Sequence, residues 1–165
     1  MTRLPMLALL LLATPAQADV TVAFSPGDAE QSVIAAIGSA RHSVHLAAYS
    51  FTSRPVARAL VDAKARGVEI EAVLDRSNAT ARYSGATLLA RAGIPVRIDA
   101  RYAIMHDKFL VIDGATVETG SFNYTKAAAE KNAENVVVLR DMPDVAARYE
   151  AEWQHLWAES EAFAP

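Results

Sequence analysis

The dipeptide Asp113-Gly114 constrains this chain more than any other feature. It stands between two apolar runs, and Asp-Gly so placed is the strongest short-range signal for a β-hairpin. A two-residue loop then fixes the register: Ile112 pairs with Ala115, Lys108 faces Thr119 and His106 faces Ser121. Side chains alternate along a strand, so His106 and Lys108 share one face, and Asp107 and Asp113 the other. A histidine, an ammonium, a hydroxyl and, two residues on, Asn123 are expected to converge at the open end of the hairpin. Asp113 is expected to hold the turn at the closed end. The same register puts Glu118 opposite Phe109, on the face away from His106, where it reads as a solvated strand residue.

The chain before the hairpin alternates between two periodicities. Val20 to Ser25, Ser43 to Phe51, Val68 to Asp75 and Pro95 to Asp99 read as strands, and the second and third are apolar enough to be covered on both faces. Helices are expected over Asp28 to Ala40, from Ser53 and Pro55 to Gly67, and around Ala86 to Ala92 before Gly93. Arg76 to Arg82 is a polar loop. After the hairpin come an alanine-rich connection at Lys126 to Asn132, a last strand at Asn135 to Leu139, and a final helix opened by Asp141 and Pro143. Val145, Tyr149, Trp153, Leu156 and Trp157 make one apolar stripe on that helix, which reads as core. Alternating strands and helices argue for a mostly parallel sheet with helices on both faces, and the hairpin makes it mixed. Sites in such sheets lie at strand ends.

Residues 1–18 have the order of a secretory signal: Arg3, an apolar core from Leu7 to Ala13, and Ala16-Gln17-Ala18 as the cleavage site. The core is too short to span a bilayer, so an exported, periplasmic or secreted protein without a stable membrane anchor is expected. Residues 19–165 then form one domain. Removing the leader takes away one charge, Arg3, and leaves fifteen basic against nineteen acidic side chains, a net of −4. Overall charge thus does not announce a nucleic-acid binder, and affinity for phosphodiesters must come from a local cluster. The pool is Arg54, Arg58, Arg76, Arg82, Arg101, Lys108, Lys126 and Lys131, of which Arg76, Arg82 and Lys126 are the substrate-binding candidates. The chain has no cysteine, which excludes thiol chemistry and cysteine-ligated metals.

Of the four histidines, His155 sits on the tryptophan-bearing helix, and His42 and His45 flank a buried strand. Only His106 has chemistry beside it. His106, Lys108, Asp113, Gly120, Ser121 and Asn123 spell His-x-Lys, four residues, Asp, six residues, Gly-Ser-x-Asn. That spacing resembles the motif of the phospholipase D superfamily without gap or substitution. A single copy in a short exported chain is similar to the small periplasmic non-specific endonucleases of that superfamily, and the likeness extends through Arg76 to Gly93 and Glu134 to Trp157.

The resemblance implies a phospholipase D-like α-β-α sandwich and hydrolysis of a phosphodiester through a phosphohistidine. His106 would be the nucleophile. Lys108 and Asn123 would bind the non-bridging phosphate oxygens, Ser121 would bond phosphate or histidine, and Glu134 falls where the family places a carboxylate that orients the histidine. Asp113 and Gly120 would be structural. The family joins two motifs across a two-fold axis, because one histidine cannot both attack phosphorus and protonate the leaving oxygen. With one motif, the chain is expected to be a homodimer with its active site at the subunit interface. No cofactor or metal is required, and Asp107 and Asp113 face away from His106. DNA is the favoured substrate, with RNA a second. Phospholipid head groups, or phosphate binding without catalysis, are the alternatives.

Overall fold

The computed structural model describes residues 18–80 and 84–164. The expected leader, apart from Ala18, and the candidate Arg82 lie outside the described residues. The first half runs β1 (Asp19–Ser25), α1 (Ala29–Ser39), β2 (Ser43–Ala48), α2 (Arg54–Ala65), β3 (Glu69–Asp75), α3 (Ser77–Thr80), α4 (Gly85–Arg91) and β4 (Val96–Asp99). The second half runs β5 (Lys108–Ile112), β6 (Thr116–Gly120), α5 (Lys126–Glu130), β7 (Glu134–Arg140), α6 (Pro143–Glu159) and β8 (Glu161–Ala162). Among the described residues, eight strands join one open sheet in the order β1-β7-β6-β5-β2-β3-β4-β8.

The sheet is mixed and flanked by helices on both faces, as expected, but the balance of directions differs. Only β2 with β3 and β3 with β4 pair in parallel. The pairings β1·β7, β2·β5, β4·β8, β5·β6 and β6·β7 are antiparallel. Parallel pairing is confined to β2, β3 and β4, which are joined in succession by α2 and by α3 with α4, whereas the long α6 leads to β8, which pairs antiparallel with β4. Once the hairpin starts, strands return on themselves. β8 gives no sequence signal, since two residues carry no periodicity.

Each face has its own core. Leu46, Leu74, Leu110 and Ile112 point to one side and meet Val33, Ile37, Val56, Leu60 and Leu89 from α1, α2 and α4. Ser53 starts α2 as read: its Oγ accepts from the Val56 N–H at 3.2 Å, with Pro55 in the first turn. Ala47, Val73, Phe109, Val111 and Val117 point the other way, onto the expected stripe of α6. Trp153 anchors that layer. It is 3% exposed, donates its Nε1–H to the Leu46 carbonyl at 3.0 Å, and stacks on His45 at 4.1 Å.

The hairpin register needs a correction. The loop is Asp113, Gly114 and Ala115, so Ile112 pairs with Thr116 and Phe109 with Thr119. Asp113 and Gly114 both take positive φ, 53° and 63°, and the Ala115 N–H bonds back to the Ile112 carbonyl at 3.1 Å. Ala115 is drawn out of the ladder because its own carbonyl accepts the Met142 N–H at 2.8 Å, at the entry to α6. A one-residue slip turns β6 over. Glu118 therefore opposes Leu110, on the face of Lys108, and is not a solvated residue. It is 1% exposed and accepts the Tyr124 hydroxyl at 2.7 Å. Burial pushes its carboxyl up to about 8 against the opposing effect of that hydrogen bond.

Candidate active site

His106 precedes β5 and is held by its neighbours' backbone. The Met105 N–H donates to Asp75 Oδ2 at 2.9 Å, and the Asp107 carbonyl accepts the Tyr49 N–H at 2.9 Å. Asp75, at the end of β3, is 3% exposed. Asn78 pins the segment beyond β2. Its Nδ2 donates to the Tyr49 and Asp75 carbonyls at 2.6 and 3.0 Å, and its Oδ1 accepts the Phe51 N–H at 3.1 Å. The Tyr49 ring lies 4.7 Å from the His106 ring, tilted by 53°. His106 itself is exposed.

Lys108 is 8% exposed. Its Nζ donates to the His106 carbonyl and stands 5.1 Å from the Tyr49 ring centroid. Burial lowers its affinity for the proton, opposed by the carboxylates of Asp107 and Glu134. A partly desolvated ammonium loses little hydration when an anion arrives, which suits it to a phosphate oxygen.

Gly120 makes room for the next turn. Its φ is +157°, and a Cβ there would lie 2.1 Å from the Asn135 carbonyl oxygen. The close approach lets Ser121 dock on β7: its Oγ donates to Glu134 Oε2 at 2.6 Å and accepts the Asn135 N–H at 3.1 Å. Asn132 Nδ2 holds the other Glu134 oxygen at 3.0 Å. Asn123 follows on the same segment, with Oδ1 buried and without a hydrogen-bond partner among the described residues. The fold thus does not consume its amide oxygen.

His106, Lys108, Gly120 and Ser121 line an open cleft of about 760 Å³ together with Asp107, contrary to the expectation that it faces away from His106. The opposite wall is Val145, Arg148, Tyr149 and Glu152 of α6. Glu134 is tied to the cleft through Ser121, and Asn123, half-buried, is not among the residues that line it. Asp113 stands at the far end, where its carboxylate accepts the backbone N–H groups of Arg41, His42 and Ser43 at 2.8–2.9 Å. Burial would raise its proton affinity, but those three bonds outweigh it and hold the carboxyl below its usual range. Arg76 and Lys126 are exposed and do not line the cleft. Arg76 donates to the Ala103 carbonyl at 2.9 Å, and Lys126 pairs with Glu130 at 3.6 Å along α5. Tyr49, Asp75, Asn78 and Arg148 carried no signal in the sequence, since each reaches the site from an element remote in the chain.

The other histidines are engaged elsewhere. His42 is beside Asp113. His45 bonds Glu150 at 2.8 Å and lies 3.8 Å from Glu71. His155 sits 3.5 Å from Glu159. Among the described residues, no group of three or more His, Cys, Asp or Glu is placed to hold a metal ion.

The family described as "Cardiolipin synthase, PLD-like domain" matches residues 33–157. The chain is 42% identical over 135 residues to a phospholipase D of Rickettsia bellii, covering 81% of this chain and 67% of that one. It is 37% identical over 120 residues to a mitochondrial cardiolipin hydrolase of Xenopus tropicalis, covering 73% of this chain and 57% of that one. The crystal structure of Nuc from Salmonella typhimurium, described as a phospholipase D family member, superposes with a TM-score of 0.88. It is 43% identical, and the match covers 90% of this chain and all of that one. With that fold and the His106-to-Asn123 motif at the end of its central strands, the chain belongs to the phospholipase D superfamily.

Proposed function

We propose that the protein is a metal-independent phosphodiesterase that hydrolyses nucleic acid, DNA first and RNA second, through a phosphohistidine. The observation that carries this reading is His106, exposed at an open cleft beside the buried side chain of Lys108. The neutral imidazole nitrogen attacks phosphorus and a P–N bond forms as the bond to the leaving oxygen breaks. Lys108 and Asn123 bind the non-bridging oxygens while charge builds on them. Water then attacks phosphorus from the opposite side, the P–N bond breaks, and His106 is restored. Glu134, held by Ser121 and Asn132, orients the imidazole through its other nitrogen.

In-line displacement needs a proton donor opposite the nucleophile. His42, His45 and His155 are engaged away from the cleft, so a second copy of the chain supplies its own His106. Three observations support a homodimer. The cleft that holds His106 is open to solvent. α6 packs over β2 to β6 with Leu139 of β7 at the margin of its layer, short of β1. On β1, Val20, Val22 and Phe24 are 50, 52 and 61% exposed. Val22 opposes Val137, Val137 opposes Thr119, and Thr119 lines the cleft, so the apolar face runs into the site. Exposed apolar patches of this kind mark interfaces. Export by the leader would place this dimer in the periplasm.

The second reading is hydrolysis of a phospholipid head group. Tyr102 and Ile104, just before His106, are 41 and 52% exposed, which would suit a lipid surface. No helix among the described residues is long and apolar enough to cross a membrane. The test is a panel of plasmid DNA, single-stranded DNA, RNA and cardiolipin vesicles, each with excess chelator. Nucleic-acid cleavage that survives chelation is expected. Head-group release without nucleic-acid cleavage would establish the lipid reading instead.

A further inference from the structure

A second, smaller pocket of about 260 Å³ lies on the opposite face of the sheet from α6, between the start of α2 and α4. Arg54 and Arg91 line it together with Thr52, Ser84 and Thr87, the Ser84 Oγ itself being buried behind the surface. No carboxylate lines it among the described residues. Neither arginine makes an ion pair or side-chain hydrogen bond among the described residues, although Arg58, one turn along α2, is paired with Asp62 at 2.9 Å. Ser84 is 3% exposed, and its Oγ has no hydrogen-bond partner among the described residues. It stands in the N-cap position of α4 without capping it. A buried hydroxyl left unpaired is costly, and two uncompensated guanidinium groups beside it make an anion the complementary ligand.

The pocket is wired to the active site through one residue. The Thr52 and Ser53 N–H groups both donate to the Tyr124 carbonyl, at 2.9 and 2.8 Å, and Tyr124 follows Asn123. Phe51 bridges to Tyr124 as well. The wall of the small pocket is therefore fixed relative to Asn123 by backbone hydrogen bonds.

We infer that Arg54, Arg91 and Ser84 form a subsite for a second backbone phosphate of a strand held at the cleft, which makes a polyanionic strand, and not an isolated phosphodiester, the ligand this surface fits. The inference rests on the nucleic-acid reading above. It also explains how a chain of net negative charge could hold a strand: by local cations at two points. Contacts to phosphate give binding that weakens linearly on a log scale with salt.

The experiment is binding of a fluorescein-labelled 20-nucleotide single strand at several salt concentrations, with wild type, R54A/R91A, S84A and R58A. Thermal melts confirm that each variant folds. R54A/R91A is expected to bind about tenfold more weakly at low salt and to lose about 0.7 from the salt slope, for the one phosphate contact removed. S84A is expected to weaken binding without changing the slope. R58A removes a positive charge from the same helix outside the pocket and is expected to leave the slope intact. A double variant whose slope equals that of wild type overturns the subsite while leaving the nuclease reading standing. Wild type that neither binds nor cleaves the strand overturns both.

Discussion

At the scale of the residue, strand parity set Asp113 apart from His106 and Lys108, and the structure keeps it at the far end. Parity fails for Asp107, which lines the cleft beside His106 because the regular strand starts only at Lys108. Replacing His106 with Ala is expected to lower the cleavage rate by ~10⁴-fold or more, as losing a nucleophile does elsewhere. A fall of less than tenfold would remove His106 from that role. Glu118 shows where residue-level reasoning stops. Its burial depends on a slip of one residue that no local pattern encodes, because Ala115 leaves the ladder to bond Met142, which is distant in the chain. Its carboxyl titrates at about 8 in the fold, against 4.5 ordinarily. Below pH 4.5 both folded and unfolded chains hold the proton, and stability does not depend on this group. Between 4.5 and about 8 the unfolded chain gives up the proton while the fold keeps it, so stability falls as pH rises. By pH 7 that costs about 3 kcal/mol at 1.36 kcal/mol per unit, as an order of magnitude. Glu118→Gln keeps an acceptor for Tyr124 and removes the titration. Its melting temperature relative to wild type is expected to climb from pH 5 to pH 8, and an equal difference at both would refute the buried carboxyl.

At the scale of the element, helix starts, the apolar stripe of α6 and the strands were legible because each is a periodic pattern within one segment. Sheet direction and register were less so, since they depend on which segments meet. Asp75 and Asn78 were invisible for the same reason: one ends β3 and the other follows it, yet both act on the backbone beside Tyr49 and His106. Asp113 is an element-level anchor, joining the hairpin turn to the entry of β2. Asp113→Ala leaves three N–H groups without their acceptor and is expected to cost about 1–3 kcal/mol in chemical denaturation with little change in kcat. Loss of kcat without loss of stability would make it catalytic. Gly120→Ala puts a methyl against the Asn135 carbonyl and must displace either β7 or the Ser121 turn. It is expected to reduce activity and stability together, read from kcat and the denaturation midpoint of the same preparation.

At the scale of the whole molecule, the cleft and the exposed apolar face of β1 form one continuous surface, so catalysis and assembly are expected to fail together. Val22→Ser with Phe24→Ser should shift the sedimentation of micromolar protein from dimer to monomer and make activity rise with the square of protein concentration. A monomer as active as wild type would mean that one His106 suffices. The covalent step lies at the centre. The direct measurement is an alkaline quench during turnover of an oligonucleotide, followed by peptide mapping. A phosphoryl-linked nucleotide on the His106 peptide, absent from His106→Ala, is expected. Full turnover with no adduct on that peptide would contradict nucleophilic attack by His106.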